Sequence, residues 1–276
     1  MADFDAHPLL VSDTATVWDV VCLGARKHES DEECASSTHL VFPYRGAYVH
    51  RVGRAQSVAE ANQVIFINES EPYRVSHPVD GGDSSLSIGV SPATLLELVP
   101  EEYLRRNGQA AFNRSRLRIG AGAQTLTALL RHSLDRRAID SLQGETLTLT
   151  LLRSAFGERV SRAAVGGPGT QRLVDRAKLV LSADLSRRWS LAEIASEVGG
   201  SPVYLTQAFH QLEGMPLYRY QLRLRLARAL DLLGDYDDLT SLALELGFSS
   251  HSHFSAAFKQ AYGQTPSAFQ RSARIR

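Results

Sequence analysis

The chain has 276 residues, 43% of them apolar and 22% charged, a length that suits two domains and a balance that suits a soluble core. No run approaches the roughly 18 consecutive apolar residues of a membrane span. The acidic start MADFDAHPLL lacks the basic segment of a secretory signal, and two cysteines cannot form a disulfide framework in a chain this long. These features predict a cytoplasmic protein. Lysine plus arginine and aspartate plus glutamate both number 30, but they are unevenly spread. Residues 1–170 hold 17 basic and 20 acidic side chains, whereas residues 171–276 hold 13 and 10. This mild basic tilt toward the C-terminus permits nucleic-acid binding without demonstrating it.

In chain order, residues 15–22, 38–43, 46–52, 63–68 and 84–90 are short, rich in β-branched and aromatic residues, and separated by turn residues. That spacing predicts an antiparallel β-sandwich or barrel. From Pro92 apolar residues recur at helical steps through LLELVPEEYLRR, AQTLTALLRHSLDRRAI and LTLTLLRSAFGERV. Residues 161–170, SRAAVGGPGT, cannot continue a helix and are expected to be a linker. Beyond them only helices are predicted, the first at residues 171–183 and a long one at about 217–233. The expected class is therefore α+β: a β-rich region with a helical appendage at 10–160, a linker at 161–170, and an all-α domain at 171–276.

Two blocks of the C-terminal region repeat one another. Leu191, Ile194, Ala195, Val198 and Gly199 match Leu239, Leu242, Ala243, Leu246 and Gly247. Leu205, Phe209 and Gly214 match Phe254, Phe258 and Gly263 after one extra turn residue. Ser190 with Glu193 reads as a capping box, and Ser201-Pro202 as the start of the next helix. Each block is a helix, a glycine turn and a second helix, which is a helix–turn–helix. The second helices project Thr206, Gln207 and His210 with Val203 beside them, and His251, Ser252, Ser255 and Lys259. Short donors and acceptors of this kind suit base edges and phosphates. The connecting helix would span about 25 Å, so the two second helices could enter successive major-groove segments of one duplex.

Residues 171–276 resemble the DNA-binding domain of the AraC/XylS family of transcription regulators. The likeness rests on LAEIASEVGGSPVYLTQAF, on RLRLARALDLL and on LALELGFSSHSHFSAAFKQAYGQTPSAF. It implies sequence-specific binding of double-stranded DNA, with base-facing positions at Val203, Thr206 and Gln207 and at His251, Ser252 and Ala256. Val203 and Ala256 offer no hydrogen bond, so contact there is apolar, as with a thymine methyl. Gln270 stands where the family commonly has arginine. The N-terminal half, through HLVFPYRGAYVHRV and ANQVIFINESEPYRVSHPV, resembles the family's cupin-like regulatory domain. This resemblance implies a small-molecule effector, a homodimer using AQTLTALLRHSLDRRAIDSL, contact with RNA polymerase, and activation as the usual mode.

Other residues carry chemistry of their own. Cys22, His28, Cys34 and His39 lie within 18 residues with Asp31, Glu32 and Glu33 among them. Thiolate and imidazole donors suit zinc or a similar soft metal, or a redox response, although the spacing matches no standard zinc motif. Trp18, Phe42, Tyr44, Tyr48, Phe66 and Tyr73 with Arg45, Arg51 and Arg74 could line an effector pocket, where arginines would favour an anion. The alternative reading is a metal-dependent cupin enzyme with a helical tail. His39, His50 and His77 lack the paired spacing such an enzyme uses, so no catalytic residue is expected.

Overall fold

The computed structural model describes residues 4–24, 28–106, 108–157 and 167–274. Nine strands form the N-terminal half: β1 Phe4–Val11, β2 Ala15–Cys22, β3 His39–Arg45, β4 Tyr48–Val52, β5 Ala55–Ala59, β6 Gln63–Ile67, β7 Arg74–Ser76, β8 Asp83–Val90 and β9 Arg116–Arg118. They make a six-stranded sheet in the order β1-β2-β8-β3-β6-β9 and a three-stranded sheet in the order β5-β4-β7. The strand pairs are antiparallel. The helices are α1 Pro92–Leu98, α2 Ala121–Asp135 and α3 Ser141–Gly157. After them come α4 Pro168–Ala183, α5 Leu191–Val198, α6 Pro202–Glu213, α7 Leu217–Leu232, α8 Leu239–Glu245, α9 His251–Tyr262 and α10 Pro266–Arg274. Among the described residues no helix is long and apolar enough to cross a membrane.

The period of two along each strand explains the layering. Leu40 and Phe42 on β3, and Val64 and Phe66 on β6, face the helices, where Leu95, Leu130, Leu151 and Phe156 close the main core. Val41, Ile65 and Ile67 point the other way and meet Tyr48 and Ala59 of the small sheet. The large sheet is thus covered on both faces, which is why Val64–Ile67 reads as an unbroken apolar run rather than an alternating one. Phe66 stacks on Phe112 at 4.0 Å and on Phe156 at 5.9 Å.

The expected α+β class is the observed one, with additions. Strands β1, β5, β7 and β9 were not anticipated. β1 begins at Phe4, ahead of the expected boundary at residue 10, and contains Pro8. Proline is tolerated there because β1 is an edge strand and its register shifts between Pro8 and Leu10. Helix α4 starts at Pro168, three residues early, since proline in the first turn needs no hydrogen-bond partner. Residues 161–166 of the expected linker lie outside the described residues, and residues 168–170 form the first turn of α4.

The helix expected to form a dimer contact, α2, is instead taken up within the chain. Its buried positions include Ala123, Gln124, Ala128, Leu130 and His132. Ala128 belongs to a cluster otherwise built from Leu226, Ala229, Leu230, Phe254, Phe258 and Phe269 of the C-terminal half. Packing against sheet, α3 and C-terminal helices leaves Gly122 and Asp135 as its exposed residues.

Candidate nucleic-acid interface

The first helix–turn–helix is α5 with α6. Ser190 caps α5 by accepting from the Glu193 N–H, and the Glu193 carboxylate accepts from the Ser190 N–H in return. Gly199 ends the helix with φ 68°, a left-handed conformation that costs glycine little. Ser201 then caps α6, with Pro202 in its first turn. Ala195 is buried under the crossing, and Ile194, Val198, Leu205, Ala208 and Phe209 fill one core with Leu173, Tyr220 and Leu224.

The second unit, α8 with α9, repeats the plan with different chemistry. The Asp238 carboxylate accepts from the N–H groups of Thr240 and Ser241 at 2.9 and 3.0 Å. Gly247 has φ 78°, and a Cβ there would stand 2.3 Å from the Ser186 carbonyl oxygen. The turn of the second unit therefore presses on the loop between α4 and α5. Ser250 caps α9, and Gly263 ends it in the left-handed region. Helix α7 serves both cores: Tyr220 and Leu224 go to the first, and Leu226, Ala229 and Leu230 to the second.

The helix faces left over carry the expected DNA-facing residues. On α6, Val203 is 68% exposed, and Thr206, Gln207 and His210 are exposed. Thr206 Oγ1 donates to the Pro202 carbonyl at 2.9 Å, which leaves its acceptor lone pairs outward. On α9, His251, Ser252, Ala256 and Lys259 are exposed and Ser255 is half-buried. His251 Nε2 and Ser255 Oγ lie 3.3 Å apart along the face. His253 does something else. It packs edge-on to Phe248 at 5.5 Å with its Nδ1 3.1 Å from Ser249 Oγ, as expected for residues two apart on a helix.

One residue missed in the sequence fixes the two units to each other. Arg225, on α7, donates to the carbonyl oxygens of Leu185 at 2.6 Å and Arg187 at 2.9 Å, ahead of the first unit. It also donates to the carbonyl of Gly247 at 3.1 Å, in the turn of the second. An arginine in a long helix looks like a solvated charge. Only the fold shows that its fork reaches both units.

A family described as a helix-turn-helix domain matches residues 171–272. The transcriptional activator RhaR of Klebsiella pneumoniae is 32% identical over 162 residues, 56% of this chain and 56% of that protein. The probable transcriptional regulator LumQ of Photobacterium leiognathi is 25% identical over 241 residues, 85% of this chain and 92% of that protein. A solved AraC-type regulator from Chromobacterium violaceum is 30% identical, covers 39% of this chain and 96% of its own, and superposes with a TM-score of 0.37. Residues 171–272 are an AraC-type helix-turn-helix domain. The matched stretch spans little over half the length of RhaR. Gln270 donates its side-chain amide to the Tyr236 carbonyl at 2.5 Å, so the residue at the place of the expected arginine is used to fasten α10.

Among the described residues, two polar clusters join the N-terminal half to the C-terminal helices. At the first, Glu60 and Arg116 meet Asp175, Lys178, Glu213 and Tyr220. Tyr220 donates its hydroxyl to Glu60, Lys178 pairs with Glu213, and Arg116 reaches Glu213 at 3.5 Å. Lys178 is 0% exposed and Glu213 2%. Burial pushes the carboxyls of Glu60 and Asp175 up and the Lys178 ammonium down. Burial alone would raise Glu213 too, but Lys178 and Arg116 hold it below the usual carboxylate range. At the second place, Arg131 pairs with Asp231, and the His132 Nε2–H donates to the Leu230 carbonyl at 3.1 Å. There Arg136 donates to the Ala273 carbonyl at 2.9 Å, and the Tyr262 hydroxyl to Gln124 at 3.2 Å.

The remaining sequence candidates separate. Phe42 and Phe66 are core, Tyr48 lies between the sheets, and Tyr44 donates to Asp19 at 2.7 Å under the Arg131 guanidinium. Arg51 and Arg74 pair with Glu29 and Glu32. The set therefore does not line one pocket. A cleft of about 460 Å³ opens elsewhere, walled by Thr38, Glu69, Ser70, Leu95 and Arg105, within the usual range for a small-molecule site. Of the proposed metal quartet, Cys34 and His28 are exposed, and His39 Nδ1 lies 2.9 Å from the Ser37 carbonyl. Cys22 groups instead with His77 and Asp83. Their separation of 55 and 61 residues from Cys22 hid this group from any spacing motif. His50 is buried, and burial pushes its pKa down to about 4.

Proposed function

We propose that this protein is a transcription regulator that binds specific double-stranded DNA through α6 and α9. The supporting observation is that both second helices turn unburied, hydrogen-bonding faces outward while Arg225 ties the two units together. Gln207 and His251 read base edges, Val203 and Ala256 contact apolar base surface, and Lys259 pairs with phosphate. The regulatory region at 10–160 takes a small polar effector in the cleft beside Arg105 and passes its state to the DNA-binding domain through the two interfaces. Homodimerisation, contact with RNA polymerase and activation follow from the family resemblance. With α2 already covered, a dimer would use another surface, such as the outer face of α3, where Leu142 is 71% exposed.

Selection of bound fragments from genomic DNA, followed by titration at fixed salt, tests this reading. Gln207→Ala and His251→Ala are expected to weaken specific binding by about 1–3 kcal/mol each while sparing random DNA. Equal losses on both DNAs would assign these residues to the phosphate backbone. No specific fragment at all, together with turnover dependent on a transition metal, would favour a cupin enzyme.

A further inference from the structure

Cys22 ends β2, Asp83 opens β8, and the two residues are direct partners in the antiparallel ladder, so their side chains share a face. His77 follows β7 of the small sheet and reaches across. Its Nε2 lies 3.5 Å from the Cys22 Sγ, and its Nδ1 lies 2.7 Å from the Asp83 Oδ2. One donor atom from each residue lies within 4.8 Å of the other two. The His77 and Asp83 side chains are only 11% and 8% exposed. Tyr48, itself buried, sets its ring 6.0 Å from the imidazole.

The backbone around this cluster is unusually tight. Gly24, Gly46 and Gly82 all have φ near 70°. A Cβ on Gly82 would stand 2.2 Å from the Cys22 carbonyl oxygen, one on Gly46 2.1 Å from the Gly82 oxygen, and one on Gly24 2.7 Å from the Gly82 Cα. Three segments touch backbone to backbone, which holds Cys22 and Asp83 in place before any ligand arrives.

We propose that Cys22, His77 and Asp83 form a binding site for a zinc-type divalent cation. Thiolate, imidazole and carboxylate together suit zinc and its neighbours, whereas calcium and magnesium require oxygen ligands. Tetrahedral ligands about 2.0–2.3 Å from one ion stand roughly 3.3–3.8 Å apart, and the Cys22–His77 separation already falls in that interval. Binding releases the Cys22 thiol proton to solvent. Cys22 Sγ and His77 Nε2 face the ion, Asp83 holds the other imidazole nitrogen and so fixes the ring, and the remaining positions are left for water or an effector group. The ion would clamp the small sheet, through His77, to the β2–β8 ladder of the large one. This site is independent of the DNA-binding reading.

The test uses the full chain, stripped with chelator under reducing conditions and titrated with Zn²⁺ and with Co²⁺. One equivalent of each is expected to bind, Co²⁺ with a near-ultraviolet sulfur-to-cobalt band, and Zn²⁺ is expected to raise the melting temperature. Zinc is expected to protect Cys22, but not Cys34, from alkylation in the unmutated protein. Cys22→Ser and His77→Gln are expected to abolish the cobalt band, Asp83→Asn to weaken binding by about tenfold or more, and Cys34→Ser to change nothing. Absence of binding, alkylation of Cys22 unaffected by zinc, or a cobalt band lost in Cys34→Ser but kept in Cys22→Ser would each overturn the proposal. The alkylation experiment needs no variant, so it stands even where a substitution prevents folding.

Discussion

The two helix–turn–helix units share a plan but are held to the N-terminal half by different physics. The first meets it through buried charge: Lys178, Glu213, Arg116 and Glu60, with Tyr220 among them. The second adds apolar packing to its polar contacts, with Ala128 inside its core, Tyr262 on Gln124 and His132 on the Leu230 carbonyl, beside the Arg131–Asp231 pair and Arg136 on the Ala273 carbonyl. Buried ion pairs add little net stability while intact, but removing one partner is costly because the other charge stays buried. The first interface is therefore the more sensitive to loss of a single partner.

The sharpest way to break this contrast is Lys178→Met. It leaves Glu213 with Arg116 alone and is expected to cost about 3–5 kcal/mol in urea unfolding. Adding Glu213→Leu is expected to recover most of the loss. An additive double mutant would mean that the pair carries no coupling.

Arg225→Ala acts between the units rather than on either interface. Loss of its charge-assisted bonds to three carbonyls is expected to cost about 2 kcal/mol and to weaken DNA sites that span both units more than half-sites bound by one. Equal weakening of full sites and half-sites would show that Arg225 supports stability only. In the second interface, Ala128→Leu is expected to overpack the shared cluster by about 1–3 kcal/mol. A neutral result would mean that this contact is loose.

Acid separates buried groups of the two interfaces by sign. His132 is held below the ordinary imidazole value by burial and by Arg131, so the unfolded chain binds its proton more readily. The stability it carries is present above about pH 6.5 and is lost as pH falls. Glu60 and Asp175 are raised by burial, so the stability tied to their protonation is present at low pH and lost as pH rises through their folded values, above the ordinary carboxylate range. From near neutral pH down toward the carboxylate range, acid is expected to destabilise the fold through His132 and to stabilise it through Glu60 and Asp175, with Lys178, held down by burial, opposing them within the first interface. Unfolding free energies across this range should flatten in one direction for His132→Gln and in the other for Glu60→Gln. Parallel shifts in the two variants would remove the distinction.

The helix–turn–helix units were legible because their information is local. Ser190, Glu193, Gly199 and Ser201 act within one or two turns, and the repeat of apolar positions marks the buried faces. Short strands such as β7 and β9, with three residues each, carry too little pattern to stand out, and β1 was disguised by Pro8. The expectation of a dimer role for α2 followed the family resemblance, and the helical periodicity of its sequence says only that a face is buried, not what covers it.

The sequence by itself determined the α+β class, the caps of the first unit, the glycine turns of both, and most of the outward residues from Val203 to Lys259. Those features follow from steric and hydrogen-bonding rules acting over a few neighbouring residues. The tertiary structure alone decided that Arg225 bridges the units, that Lys178 is buried against Glu213, and that Cys22 faces His77 and Asp83. Each of those contacts joins residues 22 or more positions apart, and only chain packing chooses which distant groups must share a low-dielectric interior.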